Sequence, residues 1–158
     1  MGFDDDSGDF MDMSVIMPGG QWFSDRSGTG KIYRLIDAAL EEKNREERMV
    51  AIVRLGESAD PRAVRPLILC CGEKDAEIRR YAIEALGKIR SGRAIDVLVE
   101  HLDDEKENLA IRISAIRALA AIRSEHACQE LRARSVDPEQ DPAIRSAIAE
   151  VLGRAQDR

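Results

Sequence analysis

Apolar residues fall three and four positions apart in block after block of this chain, and the blocks nearly repeat. "IRRYAIEALG" at 78–87 is followed by "IRISAIRALA" at 111–120 and "IRSAIAEVLG" at 144–153. Aligning the blocks on Gly56, Gly87, Ala120 and Gly153 gives steps of 31, 33 and 33 residues. In that register Leu55, Leu86, Leu119 and Leu152 stand one residue before the alignment point. Ala51, Ala82, Ala115 and Ile148 stand four residues before the leucines, on the same helical face. Arg48, Arg79, Arg112 and Arg145 coincide as well, each preceded four residues earlier by Asn44, Asp75, Asn108 or Asp141. An Asx residue there reads as an N-cap, because its side chain accepts from the free N–H groups of the first turn.

A second series lies between these blocks. Thr29, Asp60, Ser91 and Ser124 align as capping residues, with Pro61 at a first helical position that tolerates it. Behind them, apolar positions repeat as Ile32, Ala63, Ala94 and Ala127, and as Ile36, Leu67, Leu98 and Leu131. The pattern predicts a leading helix near 31–43. Pairs follow near 45–56 with 61–72, 76–89 with 92–103 and 109–122 with 125–134, and a closing helix near 142–154. No stretch alternates with period two over a strand's length, so no sheet is expected. Capped helix pairs repeated in register form a stack in which each pair gains its core from its neighbours.

The stretch "DPRAVRPLILCCGEKDAEIRRYAIEALGKIRSGRAIDVLVEHLDDE" resembles the HEAT-like repeats named after phycobilin lyases, and the likeness extends over about 29–154. It implies an all-α, right-handed α-solenoid of HEAT-like hairpins, with about three full repeats plus an extra helix at each end. Copy three departs from the pattern at Ala120, and its second helix, "SEHACQELRARS", is unusually polar. The family includes chromophore lyases, a metal-dependent hydroxylase and many binding modules, so the fold leaves the function open. The hydroxylase branch carries His-Glu pairs in the first helices of its repeats to hold two irons. The residues following the aligned arginines here are Met49-Val50, Arg80-Tyr81, Ile113-Ser114 and Ser146-Ala147, which supply no such ligands. The only histidines, His101 and His126, fall on second helices. A bilin pocket needs apolar and aromatic walls. Tyr33 and Tyr81 are the only aromatic residues inside the repeats, which makes a bilin lyase or isomerase subunit the alternative reading rather than the leading one.

Composition narrows the classes further. Hydrophobic residues make up 44% of the chain, which argues against a wholly disordered polypeptide. No apolar run approaches the ~20 residues of a membrane span. The acidic start does not read as a leader, so a soluble, cytoplasmic protein without membrane association is expected. Cys70, Cys71 and Cys128 form no Cys-x-x-Cys pair and read as buried or half-buried thiols. "SGTGK" at 27–31 lacks the first glycine and the following Ser or Thr of a phosphate loop, and Thr29 is read as a cap instead. Residues 30–158 hold 23 Lys plus Arg against 24 Asp plus Glu, so they offer no basic field for nucleic acid. The arginine ladder is therefore read as structural, each member bridging to the cap or backbone of a neighbouring repeat. Anion binding is the lower alternative.

Residues 1–28 read as a separate acidic head and 29–158 as the repeat domain. The head holds six Asp against Arg26, net −5 of the chain's −6, and is interrupted by Pro18-Gly19-Gly20. Phe10, Met11, Met13, Ile16, Trp22 and Phe23 stand out in it as apolar anchors of a recognition segment. The resemblance also implies that second helices line the concave side. Their exposed positions would then hold Arg34, Arg65, Asp96 and Gln129 in one row, and Lys31, Arg62, Arg93 and His126 in another. The second row sits near helix N-termini, where cations are mildly unfavourable unless a partner's carboxylates offset them. The reading reached from sequence is a non-enzymatic adaptor without cofactor or metal that binds another protein through this face and the head. The end helices are expected to present bare apolar faces, Ile32, Leu35, Ile36 and Leu40 at one end and Ile144, Ile148, Val151 and Leu152 at the other, with homo-oligomerisation possible through the closing helix.

Overall fold

The structure is a computed structural model that describes residues 28–156. Those residues form eight α-helices and no strand. In chain order they are α1 (Gly28–Glu41), α2 (Arg45–Ser58), α3 (Val64–Cys71), α4 (Ala76–Ile89), α5 (Ile95–Asp103), α6 (Leu109–Ile122), α7 (Glu125–Ser135) and α8 (Pro142–Gln156). Short 3-10 turns, Pro61–Ala63 and Gly92–Ala94, lead into α3 and α5. Both of these second helices were expected to be continuous α-helix from 61 and 92. Pro66 in α3 has no N–H to donate to the carbonyl of Arg62, but the same turn precedes α5, where Val97 stands in its place, so the tight entry belongs to the repeat rather than to the proline.

The predicted starts of the first helices are all present. Asn44, Asp75, Asn108 and Asp141 accept from the backbone N–H groups of Glu46, Glu77, Ala110 and Ala143 at 2.9, 2.9, 2.9 and 2.7 Å. Asp60, Ser91 and Ser124 cap the second series in the same way. Thr29 does not: α1 already begins at Gly28, which places Thr29 inside the helix. Each of α2, α4 and α6 ends on a left-handed residue, Ala59, Arg90 or Arg123, with φ of 52, 57 and 56°. That conformation reverses the chain into the next helix although no glycine stands there.

Packing regroups the expected repeats. The first helices α2, α4, α6 and α8 stack on one another in sequence, and each second helix lies tightly against the first helix that follows it. The hairpins formed by the tightest pairs among the described residues are therefore α1–α2, α3–α4, α5–α6 and α7–α8. One core runs through them from Ile32 to Ile148, and Leu55, Leu67, Leu86, Leu98, Leu119 and Leu131 are all wholly buried in it. The end helices are less bare than their sequences suggest. Ile32, Ile144 and Ile148 are buried in the common core. Leu35, Ile36, Leu40, Val151 and Leu152 remain half-buried.

Close approach of the first helices depends on two glycines. A Cβ placed on Gly56 would lie 2.8 Å from both Cα and Cβ of Ala85, and one on Gly87 would lie 2.8 Å from Cα of Ala118. Both neighbours are main chain or its first side-chain atom, so neither can move aside alone. Gly153, in the same register, has nothing within 4 Å. The glycines should therefore respond oppositely to substitution. Gly56→Ala or Gly87→Ala is expected to destabilise by ~1–3 kcal/mol through forced separation of the helices. Gly153→Ala should stabilise by up to ~1 kcal/mol through helix propensity. Urea unfolding of the three variants checks this, and equal responses would contradict the packing described.

Candidate functional site

Two sets of charged residues stand out once the helices are in place, one within the stack and one on its surface. The first is the arginine ladder. Arg48 Nε donates to the carbonyl of Ala39 at 3.0 Å, near the end of α1, and its Nη2 reaches Glu73 at 2.8 Å. Arg79 forks onto both oxygens of Glu107 at 2.8 Å and donates also to the carbonyls of Glu73 and Lys74. Arg112 repeats the arrangement, with Nε on the carbonyl of Leu102 at 2.8 Å and Nη2 on Gln140 at 3.2 Å. Each guanidinium thus ties the end of the preceding second helix to a side chain just ahead of the next Asx cap. The expected bridge to the neighbouring repeat is present at Arg48, Arg79 and Arg112; Arg145 forms none among the described residues, and its buried Nε has no partner. Sequence reading missed its acceptors, although "EKD" at 73–75, "EN" at 107–108 and "QD" at 140–141 carry them in plain view. Glu107 and Gln140 also accept from the N–H of the cap residue that follows, at 2.9 and 3.2 Å.

Arg79 and Glu107 are nearly enclosed, with side chains 19% and 5% exposed. His101 Nδ1 lies 3.4 Å from the same carboxylate. The hydrogen bonds from Arg79 hold the Glu107 carboxyl below its ordinary range, against the opposing effect of burial. The cap Asp75 is lowered further, to about 2, chiefly by its hydrogen bond from Arg45. Burial pushes the thiol of Cys71 up to about 12 and that of Cys70 upward as well, so both stay protonated and inert.

The second set is the row of second-helix residues singled out from sequence. Arg34, Arg62, Arg65, Arg93 and Asp96 are all exposed, as are Lys31, His126 and Gln129. Arg62 departs from expectation. Its guanidinium is held by its own cap Asp60, at 2.7 Å to Oδ2, and lies 5.5 Å from the ring centre of Tyr33. The carboxylate that was to come from a partner is supplied within the same turn. Lys31, Arg34, Arg65 and Arg93 make no ion pair among the described residues. A cleft of about 650 Å³ opens beside Lys31 and Asp60, with Leu35, Arg54 and Glu57 on its walls. The head residues Phe10, Met11, Met13, Ile16, Trp22 and Phe23 lie outside the described residues.

Neither enzymatic arrangement considered from the sequence has its groups assembled among the described residues. No three His, Cys, Asp or Glu side chains come together as a metal site, so the residues do not fit a two-iron cage. Tyr33 is 48% exposed beneath Arg62, and Tyr81, which lies under Arg80 at 4.5 Å, lines an open cleft of about 380 Å³ with Met49, Val50 and Val53 rather than an enclosed pocket. No helix of the described residues is long and apolar enough to cross a membrane.

Caps, ladder and glycine contacts that recur with the sequence repeat define a tandem-repeat helical solenoid. The HEAT repeats family model matches residues 32–109, and the PBS lyase HEAT-like repeat model matches 111–137. The chain belongs to the HEAT-like repeat family. No curated protein matches it in sequence. Among solved structures it is similar to human deoxyhypusine hydroxylase in complex with glycerol, at TM-score 0.69 and 24% identity. The likeness covers 80% of this chain and 44% of that one, so the chain spans less than half of its neighbour. It also corrects the expectation that the chain is not an enzyme. The same solenoid carries a hydroxylase, and one of the two matching repeat models is named for a lyase, so the fold gives no ground for excluding catalysis.

Because the Glu107 carboxyl is lowered in the folded state, its contribution to stability is full above the unfolded value of ~4.3 and is lost as pH falls through the folded value. Glu107→Gln should cost about 1–2 kcal/mol at neutral pH. It should also flatten the decline of the urea midpoint below pH ~4.3. An unchanged acid limb would mean that the pair does not couple the repeats.

Proposed function

We propose that this chain is a protein-interaction module of the HEAT-like family and that it takes a polypeptide carrying carboxylates along its second helices. HEAT repeats in general mediate protein interaction, because a stack of hairpins presents a long, nearly rigid surface at little ordering cost on binding. One observation carries the finer reading. Lys31, Arg34, Arg65 and Arg93 recur in register along successive second helices with no carboxylate partner among the described residues, whereas the ladder cations Arg48 and Arg79 are paired and the other unpaired first-helix cations, Arg54, Lys88 and Arg117, occupy three different register positions. Unpaired cations in a row accept acidic side chains without first breaking an internal bridge. Asp96 in the same row sets the register, since it repels a ligand carboxylate at its own position.

The acidic head fits the same surface as a partner in cis. Residues 1–28 carry a net charge of −5 and a set of apolar anchors, so the head can compete with an external ligand for the cations or extend the contact once that ligand is bound. In either role it is a unit separate from the repeat domain. Cytoplasmic residence agrees with three cysteines that form no disulfide. A bilin-handling subunit is the alternative, and mixing the protein with a bilin and scanning its absorbance tests that directly.

Charge reversal at Arg65 and Arg93 tests the main reading, with Arg62→Glu as the contrast. Partners captured from the source cell by the wild-type protein should bind the Arg65→Glu/Arg93→Glu variant about tenfold or more weakly, with helicity unchanged. Arg62→Glu should lose less affinity and more stability, because it breaks the bond to Asp60. Equal affinity of wild type and the double variant would move the site off this face.

A further inference from the structure

The junction between α4 and α6 carries charges that stacking does not require. A cleft of about 380 Å³ opens there over Gly87 and Ala118, the pair whose close approach brings the two helices together. Lys88, Arg90 and Arg117 line it, all exposed, and none of them forms an ion pair among the described residues. Glu84 is the one carboxylate on its walls and is already engaged, its Oε1 accepting from Arg80 Nη1 at 2.9 Å. Ser114 is a buried polar residue of this layer, and its hydroxyl has only a long contact, 3.5 Å, to the same Glu84 oxygen. A hydroxyl held that loosely is free to turn toward a better acceptor.

The other junctions show that these groups do not hold the stack. The places of Lys88, Arg90 and Arg117 are taken by Glu57, Ala59 and Glu84 between α2 and α4, and by Ala121, Arg123 and Glu150 between α6 and α8. Ser114 stands where those junctions have Tyr81 and Ala147. The first helices stack at all three junctions, yet three cations and a hydroxyl meet at only one. The helix macrodipole favours a cation at the end of α4, which accounts for Lys88 and Arg90, but Arg117 lies in the middle of α6.

We propose that this cleft binds a phosphate monoester. Three cations against one carboxylate leave a surplus of two positive charges, which a phosphate dianion matches and a single carboxylate does not. The guanidiniums of Arg90 and Arg117 offer planar forks to its oxygens, Lys88 offers a point charge, and Ser114 a neutral donor. Gly87 and Ala118 place no long side chain in the cleft, and its volume falls within the ~300–1,000 Å³ of ordinary ligand sites, which leaves room for the group that carries the phosphate. No second helix contributes to the walls, so the site is separate from the row of cations assigned to carboxylates and goes beyond that reading. A free small molecule and a phosphorylated side chain present the same dianion.

Calorimetric titration of the full chain tests the site with three compounds: phenyl phosphate, phenyl sulfate, which keeps the shape but carries one charge, and a short phosphoserine peptide. At least one phosphate compound should bind saturably, one per chain, and phenyl sulfate should bind about tenfold or more weakly. Tighter binding of the peptide assigns the phosphate to a polypeptide, and tighter or equal binding of phenyl phosphate assigns it to a free molecule. Lys88→Glu/Arg90→Ala/Arg117→Glu gives the cleft the residues of the α2–α4 junction, a set that this fold already accommodates. The variant should keep its helicity by circular dichroism and lose phosphate affinity by about a hundredfold. Arg117→Glu alone should lose about tenfold, which keeps the test open if the triple variant unfolds. Arg65→Glu/Arg93→Glu should bind phenyl phosphate as the wild type does. The proposal is overturned if neither phosphate compound binds saturably, if phenyl sulfate binds equally well, or if Arg117→Glu retains full affinity. Loss of phenyl phosphate binding in Arg65→Glu/Arg93→Glu also overturns it, since that moves the phosphate to the second helices.

Discussion

The bond from Arg48, Arg79 and Arg112 to the side chain just ahead of the next cap is the constraint on which this solenoid turns. Hydrophobic burial is non-directional and would allow neighbouring hairpins to slide or tilt against each other. The guanidinium removes that freedom because it is planar, carries its donors in a fixed fork and stays charged at all relevant pH. Arg79 shows the full arrangement: two donors on Glu107 and a third on the carbonyls of Glu73 and Lys74, joining three segments at one point. Backbone carbonyls at the end of a second helix have no partner within that helix, so the same group also satisfies what the helix leaves open.

Around that constraint the other devices are local. Asx caps fix where each first helix begins, and left-handed residues at Ala59, Arg90 and Arg123 fix where it ends. Gly56 and Gly87 then let the first helices approach to the contact distance of an alanine. Copy three relaxes two of these rules together. It has Ala120 where the others have glycine, and its ladder ends on the neutral Gln140 where earlier copies use glutamate. A repeat protein can tolerate this, because each junction contributes separately to stability.

Function follows from what this internal bonding leaves over. A cation engaged in the ladder is unavailable to a ligand, and so is Arg62, held by Asp60. Among the cations outside these bonds, Arg34, Arg65 and Arg93 with Lys31 recur in register along the second helices and the turns that lead into them. Family membership does not decide whether such a surface binds, scaffolds or also catalyses. The fold itself, shared with a hydroxylase, is indifferent to which chemistry it carries.

Sequence alone determined most of the architecture, since caps, helix faces and repeat period are read from residues close together in the chain. Asn44, Asp75, Asn108 and Asp141 act as caps in the structure, and the leucines of both series lie in one core. Which helices pair most tightly was not legible there, because α3 is equally close in sequence to α2 and α4; only packing showed that it closes on α4. The acceptors of the ladder were hidden for a similar reason, lying 25 to 28 residues from their arginines. Sequence placed Arg62 and Arg65 alike on exposed positions, and geometry separated them, because an ion pair depends on a side-chain path that residue spacing does not specify. The half-buried states of Ile36 and Leu152 belong to the same class: their residue types match the interior copies, and only the end of the stack sets them apart.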